Sequence, residues 1–158
     1  MIQCRFCKNN LSHQVLDLGH QPPSNAYLNE NQINKPELSL PLKVYVCNSC
    51  WLMQIPNYAA ADELFTSDYA YFSSTSSSWK NHAKKYVSRV IDDLNLNSNS
   101  LVVEVASNDG YLLEYVKRQK IPCLGIEPTK AVAAVSRSKG IKTIEKFFGE
   151  NTANSLLR

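Results

Sequence analysis

The sequence predicts an α/β protein in two parts: a small metal-organised β module, then a parallel sheet that stops after its third strand. Three observations predict this. Two Cys-x-x-Cys pairs, Cys4/Cys7 and Cys47/Cys50, bracket the first fifty residues. From Ser100 onward, short apolar runs alternate with helical segments, the pattern of β-α-β-α-β. Between the first run and its helix lies a small-residue turn, Glu104 to Gly110, where a doubly wound, Rossmann-like sheet would bind a ligand. The expected boundaries are residues 1–60 for the metal module, 61–98 for a connecting loop and helix, and 99–158 for the front half of the sheet domain.

Each cysteine pair puts two thiols on one tight turn, able to point at a single ion about 2.3 Å away, and two such turns complete a tetrahedron. A closed four-thiolate shell leaves no position for water or substrate, so the metal expected at Cys4, Cys7, Cys47 and Cys50 is structural zinc. The 39 residues between the pairs exceed the gap of a compact finger. The ion must therefore gather a zinc-ribbon-like module around itself. Two disulfides or four unrelated buried thiols are the alternatives, and the doubled spacing favours metal. Lys8 and Trp51 stand where such turns often carry glycine. Cys123, after Pro122, reads as a small core residue.

Within the module, Val15-Leu16-Asp17-Leu18 precedes a loop, Gly19 to Asn25, whose paired prolines exclude helix. Leu40, Leu42, Val44 and Val46 alternate with polar neighbours or proline, a half-buried strand entering the second cysteine turn. Trp51 to Ile55 leaves it as another strand, stopped by Pro56, and a short helix is expected from Ala59 to Phe65. The segment from Asp68 to Ser78 is rich in hydroxyls and holds Tyr69, Tyr71 and Phe72, more aromatic than a linker. It predicts an ordered loop that closes over something. A serine near position 77 can cap the next helix, in which Trp79, Ala83, Tyr86, Val87, Val90 and Leu94 form one apolar face. Lys80, Lys84, Lys85 and Arg89 form its solvated side.

The sheet half follows. A buried strand is expected over Leu101–Val105, a helix over 111–120, a strand over 124–126 and a helix capped by Thr129 and ended by Gly140. A third strand over 141–144 and a helix from Asn151 or Thr152 complete it, with strand order 3-2-1. Such a sheet leaves one edge open and one face thinly covered. The expectation is a fragment, or an edge covered by a second copy in a homodimer.

Composition removes some function classes. Of 158 residues, 44% are hydrophobic and 20% charged, ordinary for a globular domain. Four thiolates and one Zn²⁺ would bring the formal charge from +3 to +1, no basis for tracking nucleic-acid phosphates. The start, Met1-Ile2-Gln3-Cys4-Arg5, predicts no signal peptide. The most apolar run, Leu101 to Ala106, is too short for a bilayer and carries Glu104. A reducing cytoplasm is expected, with no nucleic-acid or membrane partner.

The turn Glu104-Val105-Ala106-Ser107-Asn108-Asp109-Gly110 has one glycine where a dinucleotide fold wants three, and Asp109 would repel phosphate. It suits a cationic, phosphate-free ligand such as S-adenosylmethionine, with Glu104 at its amino end. Glu127, 17 residues after Gly110 and followed by Pro128, can accept both ribose hydroxyls.

Read together, these motifs resemble the zinc-containing, S-adenosylmethionine-dependent sugar C-methyltransferases of deoxysugar biosynthesis. The likeness rests on the four cysteines, Asp17-Leu18-Gly19-His20-Gln21-Pro22, Leu42-Lys43-Val44 and Tyr69-Ala70-Tyr71-Phe72-Ser73-Ser74. Its strongest parts are Val103 to Gly110 and Gly125-Ile126-Glu127-Pro128. The resemblance implies a class I methyltransferase sheet, zinc on the cysteines, and cofactor bound by Glu104, Ala106, Ser107, Asn108, Asp109, Gly110, Glu127 and Pro128. It implies that Tyr71 and Ser74 cover the cofactor near its sulfonium. Members methylate C3 of a nucleotide-linked 4-keto-6-deoxyhexose through an enolate, so a small-molecule nucleotide sugar is the implied partner. The His- and Tyr-containing segment expected to supply the base has no match here. His13, His20 and His82 are poor substitutes, leaving the catalytic residue unassigned. The chain alone is expected to bind cofactor weakly if at all and not to turn over. A zinc-ribbon nucleic-acid-binding or scaffold protein without catalysis is the alternative.

Overall fold

A computed structural model of the chain describes residues 2–66 and 69–157. Asp68 of the expected aromatic loop and the terminal Arg158 lie outside the described residues. The chain divides into two compact units, Met1–Leu64 and Phe65–Arg158.

In the first unit, β1 (His13–Gln21), β2 (Leu40–Val46) and β3 (Met53–Gln54) form an antiparallel sheet in that order, and α1 (Ala61–Leu64) follows. Leu16 pairs with Val44 and Asp17 with Lys43, and the Asp17 carboxylate meets the Lys43 ammonium at 2.8 Å. That ion pair lowers the pKa of Asp17 and raises that of Lys43. The expected loop at Gly19-His20-Gln21 is instead strand. Gly19 takes φ +73 and donates its N–H to the Asp17 side chain, and the ladder shifts register there and resumes at His20. β3 is shorter than expected because Trp51 is consumed by the cysteine turn at φ 63. The buried core of the unit is Cys4, Leu11 and Cys47, joined by half-buried Tyr45, Cys50 and Leu52. Thiols occupy the place where a larger domain would put leucines, so apolar burial alone is a thin source of stability.

In the second unit a single 3₁₀ turn (Ser73–Thr75) leads into α2 (Ser77–Leu94). Ser76 caps this helix by accepting the Trp79 N–H at 3.2 Å, and Asn95 closes it in the left-handed region. Then come β4 (Val102–Val105), α3 (Leu113–Arg118), β5 (Cys123–Ile126), α4 (Lys130–Ser138), β6 (Thr143–Ile144) and α5 (Glu150–Leu156). The strands are parallel in the order β4-β5-β6, with Glu104 opposite Gly125 and Val105 opposite Ile126. Val87, Leu113, Val116, Ile121 and Ile141 form the core, with Cys123 packed against it as expected.

Three expectations change in detail. β4 is not buried throughout: Val102 and Glu104 are half-buried while Val103 and Val105 are exposed. Among the described residues only β5 pairs with this strand, so one edge and one set of side chains stay uncovered. Thr129 holds the cap position of α4, but its side chain makes no cap bond; its N–H donates to Glu127 Oε1 instead. α3 starts at Leu113 because residues 110–112 are spent completing the turn after β4. Gly140, at φ +71, ends α4 as the sequence predicts.

Candidate functional site

The two cysteine turns are built alike. Lys8 donates its N–H to Cys4 O at 3.0 Å, and Trp51 donates to Cys47 O at 2.9 Å. Cys4 N–H donates to Asn9 O and Cys47 N–H to Leu52 O. Lys8 and Trp51 take φ 64 and 63, the left-handed geometry that glycine would give more cheaply. Their side chains do not prevent the turns from closing, and this strain is repaid only if something draws the four sulfurs together.

The sulfurs do converge, all within 4.8 Å of one another. Cys4 Sγ lies 3.6 Å from Cys50 Sγ, and Cys7 Sγ lies 3.4 Å from Cys47 Sγ. A disulfide needs about 2.05 Å, whereas a tetrahedron with 2.3 Å metal–sulfur bonds has edges of about 3.8 Å. The spacing fits one ion held between the turns and excludes two disulfides.

The charges agree. Burial opposes ionisation of Cys4, but hydrogen bonds from the Gln54 side chain and the Cys7 and Phe6 backbone outweigh it and hold the thiol at about 6. Backbone bonds from Cys50 and Ser49 likewise lower Cys47. Cys50 receives a bond from the Leu52 backbone, yet burial and its neighbours Cys4, Cys47 and Cys7 push it up to about 12. A cluster that ionises one thiol and resists ionising the next is completed by a dication. Gln54 is the residue that spacing did not reveal. It is buried, donates Nε2–H to Cys4 Sγ at 3.2 Å, and accepts the Arg5 N–H at 2.9 Å. Its signal was a lone amide on an otherwise apolar strand.

The second cluster lies at the carboxyl end of β4. Ala106 and Asn108 take φ 57 and 51 and Gly110 takes φ +74, so the chain folds back sharply. At Gly110 a Cβ would fall 2.6 Å from Ile141 Cδ1 and 2.7 Å from Ser136 Oγ. Gly110→Ala is expected to cost about 2–4 kcal/mol, from overpacking and left-handed strain together, measurable by urea unfolding.

This turn fastens the aromatic loop. Asn108 Oδ1 accepts the Ser73 N–H at 2.8 Å and Asn108 Nδ2 donates to Tyr71 O at 3.1 Å. Asp109 Oδ2 accepts the Ser74 N–H at 3.2 Å and faces Lys139 Nζ at 3.6 Å. Tyr71 and Ser74 are thus strapped onto the turn through their backbone. Glu127, 5% exposed, accepts the Asn108 N–H on Oε2 at 3.0 Å and the Thr129 N–H on Oε1 at 2.9 Å. It locks the end of β5 to the turn, and each oxygen keeps one lone pair for a further donor.

Three buried side-chain acceptors here have no partner among the described residues: Glu104 Oε2, Ser107 Oγ and Asp109 Oδ1. Asp109 and Ser107 are fully buried. Burial, then the charges of Asp109 and Glu127, push Glu104 up to about 8. Buried acceptors without donors are costly. Carboxylates this close repel phosphate and attract a cationic donor. Of the residues expected around the ligand, Tyr71, Ser74, Glu104, Ala106, Ser107, Asn108, Asp109, Gly110, Glu127 and Pro128 all lie on this turn, its strap or the adjoining strand end. His82 stands apart on α2, stacked on Trp79, and His13 and His20 lie on β1 in the other unit.

Residues 4–65 match the family described as "Putative zinc binding domain". The match covers the amino-terminal part of this chain, from its first cysteine to just past the last helix of the first unit. Its converging thiolates are the feature such a domain requires. The chain as a whole is 31% identical over 146 residues to C-methyltransferase NovU of Streptomyces niveus. The alignment covers 92% of this chain and 34% of the relative, so the chain spans about a third of that protein's length. Both matches agree with the resemblance carried by the sequence motifs as far as a zinc-binding domain and likeness to a C-methyltransferase. No helix among the described residues is long and apolar enough to cross a membrane.

Proposed function

We propose that this chain forms the zinc-organised and cofactor-binding portion of an S-adenosylmethionine-dependent C-methyltransferase acting on a nucleotide-linked 4-keto-deoxysugar. The observation that carries the reading is the trio of unpartnered buried acceptors on the turn after β4. They belong to a chain 31% identical to a C-methyltransferase. The parallel order β4-β5-β6, with this turn beside the next strand end, supports a Rossmann-like domain of the class I methyltransferase kind.

S-adenosylmethionine, when bound, supplies an electrophilic methyl group. The chain's own residues hold and shield it. Glu104 takes the ligand's amino end, and the small side chains of Ala106 and Ser107 let backbone approach the methionine portion. Glu127, steadied by the Asn108 and Thr129 N–H groups, offers its remaining lone pairs to the ribose hydroxyls, with Pro128 beside it. Asn108 and Asp109 position the Tyr71–Ser74 strap over the site. Transfer to an enolate carbon then depends on orientation and on exclusion of water, which a strap of this kind provides. The four-cysteine zinc is structural and takes no part in the transfer.

Chemical-shift titration separates this reading from a nicotinamide domain. S-adenosylhomocysteine is expected to shift the amides of Ser107, Asn108 and Gly110, and NAD to leave them unmoved. Equal or stronger shifts with NAD would overturn the reading. Glu127→Ala is expected to weaken nucleoside binding by about 1–3 kcal/mol through lost charged hydrogen bonds.

A further inference from the structure

Lys139 ends α4, and a lysine there ordinarily bonds the last carbonyls of its own helix. This one reaches across the fold. Its ammonium donates to the Asp109 carbonyl at 2.7 Å and stands 3.6 Å from Asp109 Oδ2, 30 residues away in sequence. Its own carbonyl accepts the Lys117 ammonium at 2.8 Å, so α3 fixes the backbone from which the side chain springs. The Lys139 side chain is 23% exposed and Asp109 is fully buried. A pair so shielded is screened little by salt, and removing its cation leaves a buried charge uncompensated.

Asp109 passes this grip on. The Oδ2 that faces Lys139 also accepts the Ser74 N–H at 3.2 Å. An N–H bonded to an ionised carboxylate is held roughly twice as strongly as one bonded to a neutral acceptor. Ser73 and Tyr71, by contrast, are held by the Asn108 side chain. The strap therefore has two separate fastenings, and the one at Ser74 runs through Asp109 to Lys139. In sequence Lys139 read only as the end of a helix.

We propose that Lys139 is a positioning residue: by gripping Asp109 it keeps the Tyr71–Ser74 strap latched over the turn, and so sets how long an S-adenosyl nucleoside stays bound. Lys139 touches no ligand in this account and acts through Asp109 and Ser74. Without its ammonium, the Asp109 carboxylate is left to take up a proton or draw in water, and the bond to Ser74 weakens either way. A strap freed at one end opens more often, which speeds escape of a bound ligand more than it changes entry. The inference rests on the proposed nucleoside site and assigns its closure to a residue outside it.

The test uses amide hydrogen exchange of the whole chain and the dissociation rate of S-adenosylhomocysteine. In Lys139→Met the Ser74 amide is expected to exchange about five- to twentyfold faster, with Ser73, Val116 and Ile126 within about twofold of wild type. The same variant is expected to release S-adenosylhomocysteine about three- to tenfold faster, with association within about twofold. Lys139→Arg, which keeps the cation, is expected to restore both readings. Unchanged Ser74 exchange in Lys139→Met overturns the latch, and so does faster exchange shared equally by Ser74, Val116 and Ile126, the mark of a general loss of stability. If Lys139→Met does not fold, Lys139→Gln is read in its place with the same outcomes. Faster Ser74 exchange with unchanged release overturns the control of residence and leaves the nucleoside site standing. Failure of the wild-type chain to bind S-adenosylhomocysteine overturns the nucleoside site and, with it, any effect of Lys139 on residence.

Discussion

Stripping zinc from the folded chain, or replacing Cys4 by serine, is expected to unfold residues 2–64 while the second unit keeps its core. The reason is the composition of the first core. Among the described residues its buried hydrophobic members are Cys4, Cys47 and Leu11, so two of the three are thiols and Leu11 alone contributes ordinary apolar burial. Full burial of one leucine supplies about 2–3 kcal/mol, whereas structural zinc in small modules contributes on the order of 10–16 kcal/mol. The metal term dominates. Without it, the left-handed turns at Lys8 and Trp51 lose what holds them closed, and four clustered thiols are left with burial and mutual repulsion. Two-dimensional amide spectra before and after chelation read the outcome. Signals of Leu11, Val44 and Gln54 should collapse to unfolded positions, and those of Leu113, Ile126 and Val132 should stay dispersed. Persistence of the first set after complete zinc removal would show that the sheet of β1–β3 holds itself together.

Glu104→Gln is expected to stabilise the chain at high pH and to weaken ligand binding. The charges of Asp109 and Glu127 act on Glu104, and Lys139 is committed to Asp109. Burial and those two acids raise it from an ordinary 4.5 to about 8. An acid raised in the fold favours folding where it is protonated. That contribution is fully present below about 4.5, falls away as the unfolded chain ionises, and is gone above about 8. The gap corresponds to an upper bound of roughly 5 kcal/mol, reduced by the water that reaches a half-buried group. Glutamine has no charge to desolvate. Relative to wild type it should add about 2–3 kcal/mol at pH 8.5 and little at pH 5, read from urea midpoints at the two values. The same substitution should weaken S-adenosylhomocysteine most above about pH 8, where the carboxylate is charged, and progressively less as the pH falls and Glu104 takes up its proton. A variant with equal gain at pH 5 and 8.5 would show that the effect is packing and not ionisation. A destabilising charge retained at a ligand site is the pattern expected of a group kept for binding.

The parts of this protein that were legible in sequence are those fixed by local chemistry. Two thiols on a tight turn require their spacing, so Cys4, Cys7, Cys47 and Cys50 declared the metal centre before any fold was known. Gly140 announced the end of α4 because few residues tolerate φ +71. The aromatic and hydroxyl content of residues 69–78 marked an ordered loop. What holds that loop was not legible, because Ser73 and Ser74 bond side chains 35 residues away. Propensity misled at Lys8 and Trp51, where a lysine and a tryptophan take a glycine conformation within a metal-binding turn. It misled again at Gly19, where a turn-forming residue sits in a strand irregularity. Glu127 looked like a simple ligand carboxylate, whereas the fold shows it bracing the Asn108 and Thr129 amides. Tertiary partners of this kind leave no periodic trace.

The most direct test is X-ray absorption at the zinc edge on protein purified without chelator, together with metal content per chain. One zinc per chain, surrounded by four sulfurs at about 2.3 Å, is the predicted result. A chain without zinc whose four thiols react freely, or a zinc bound mainly by nitrogen and oxygen, would contradict it.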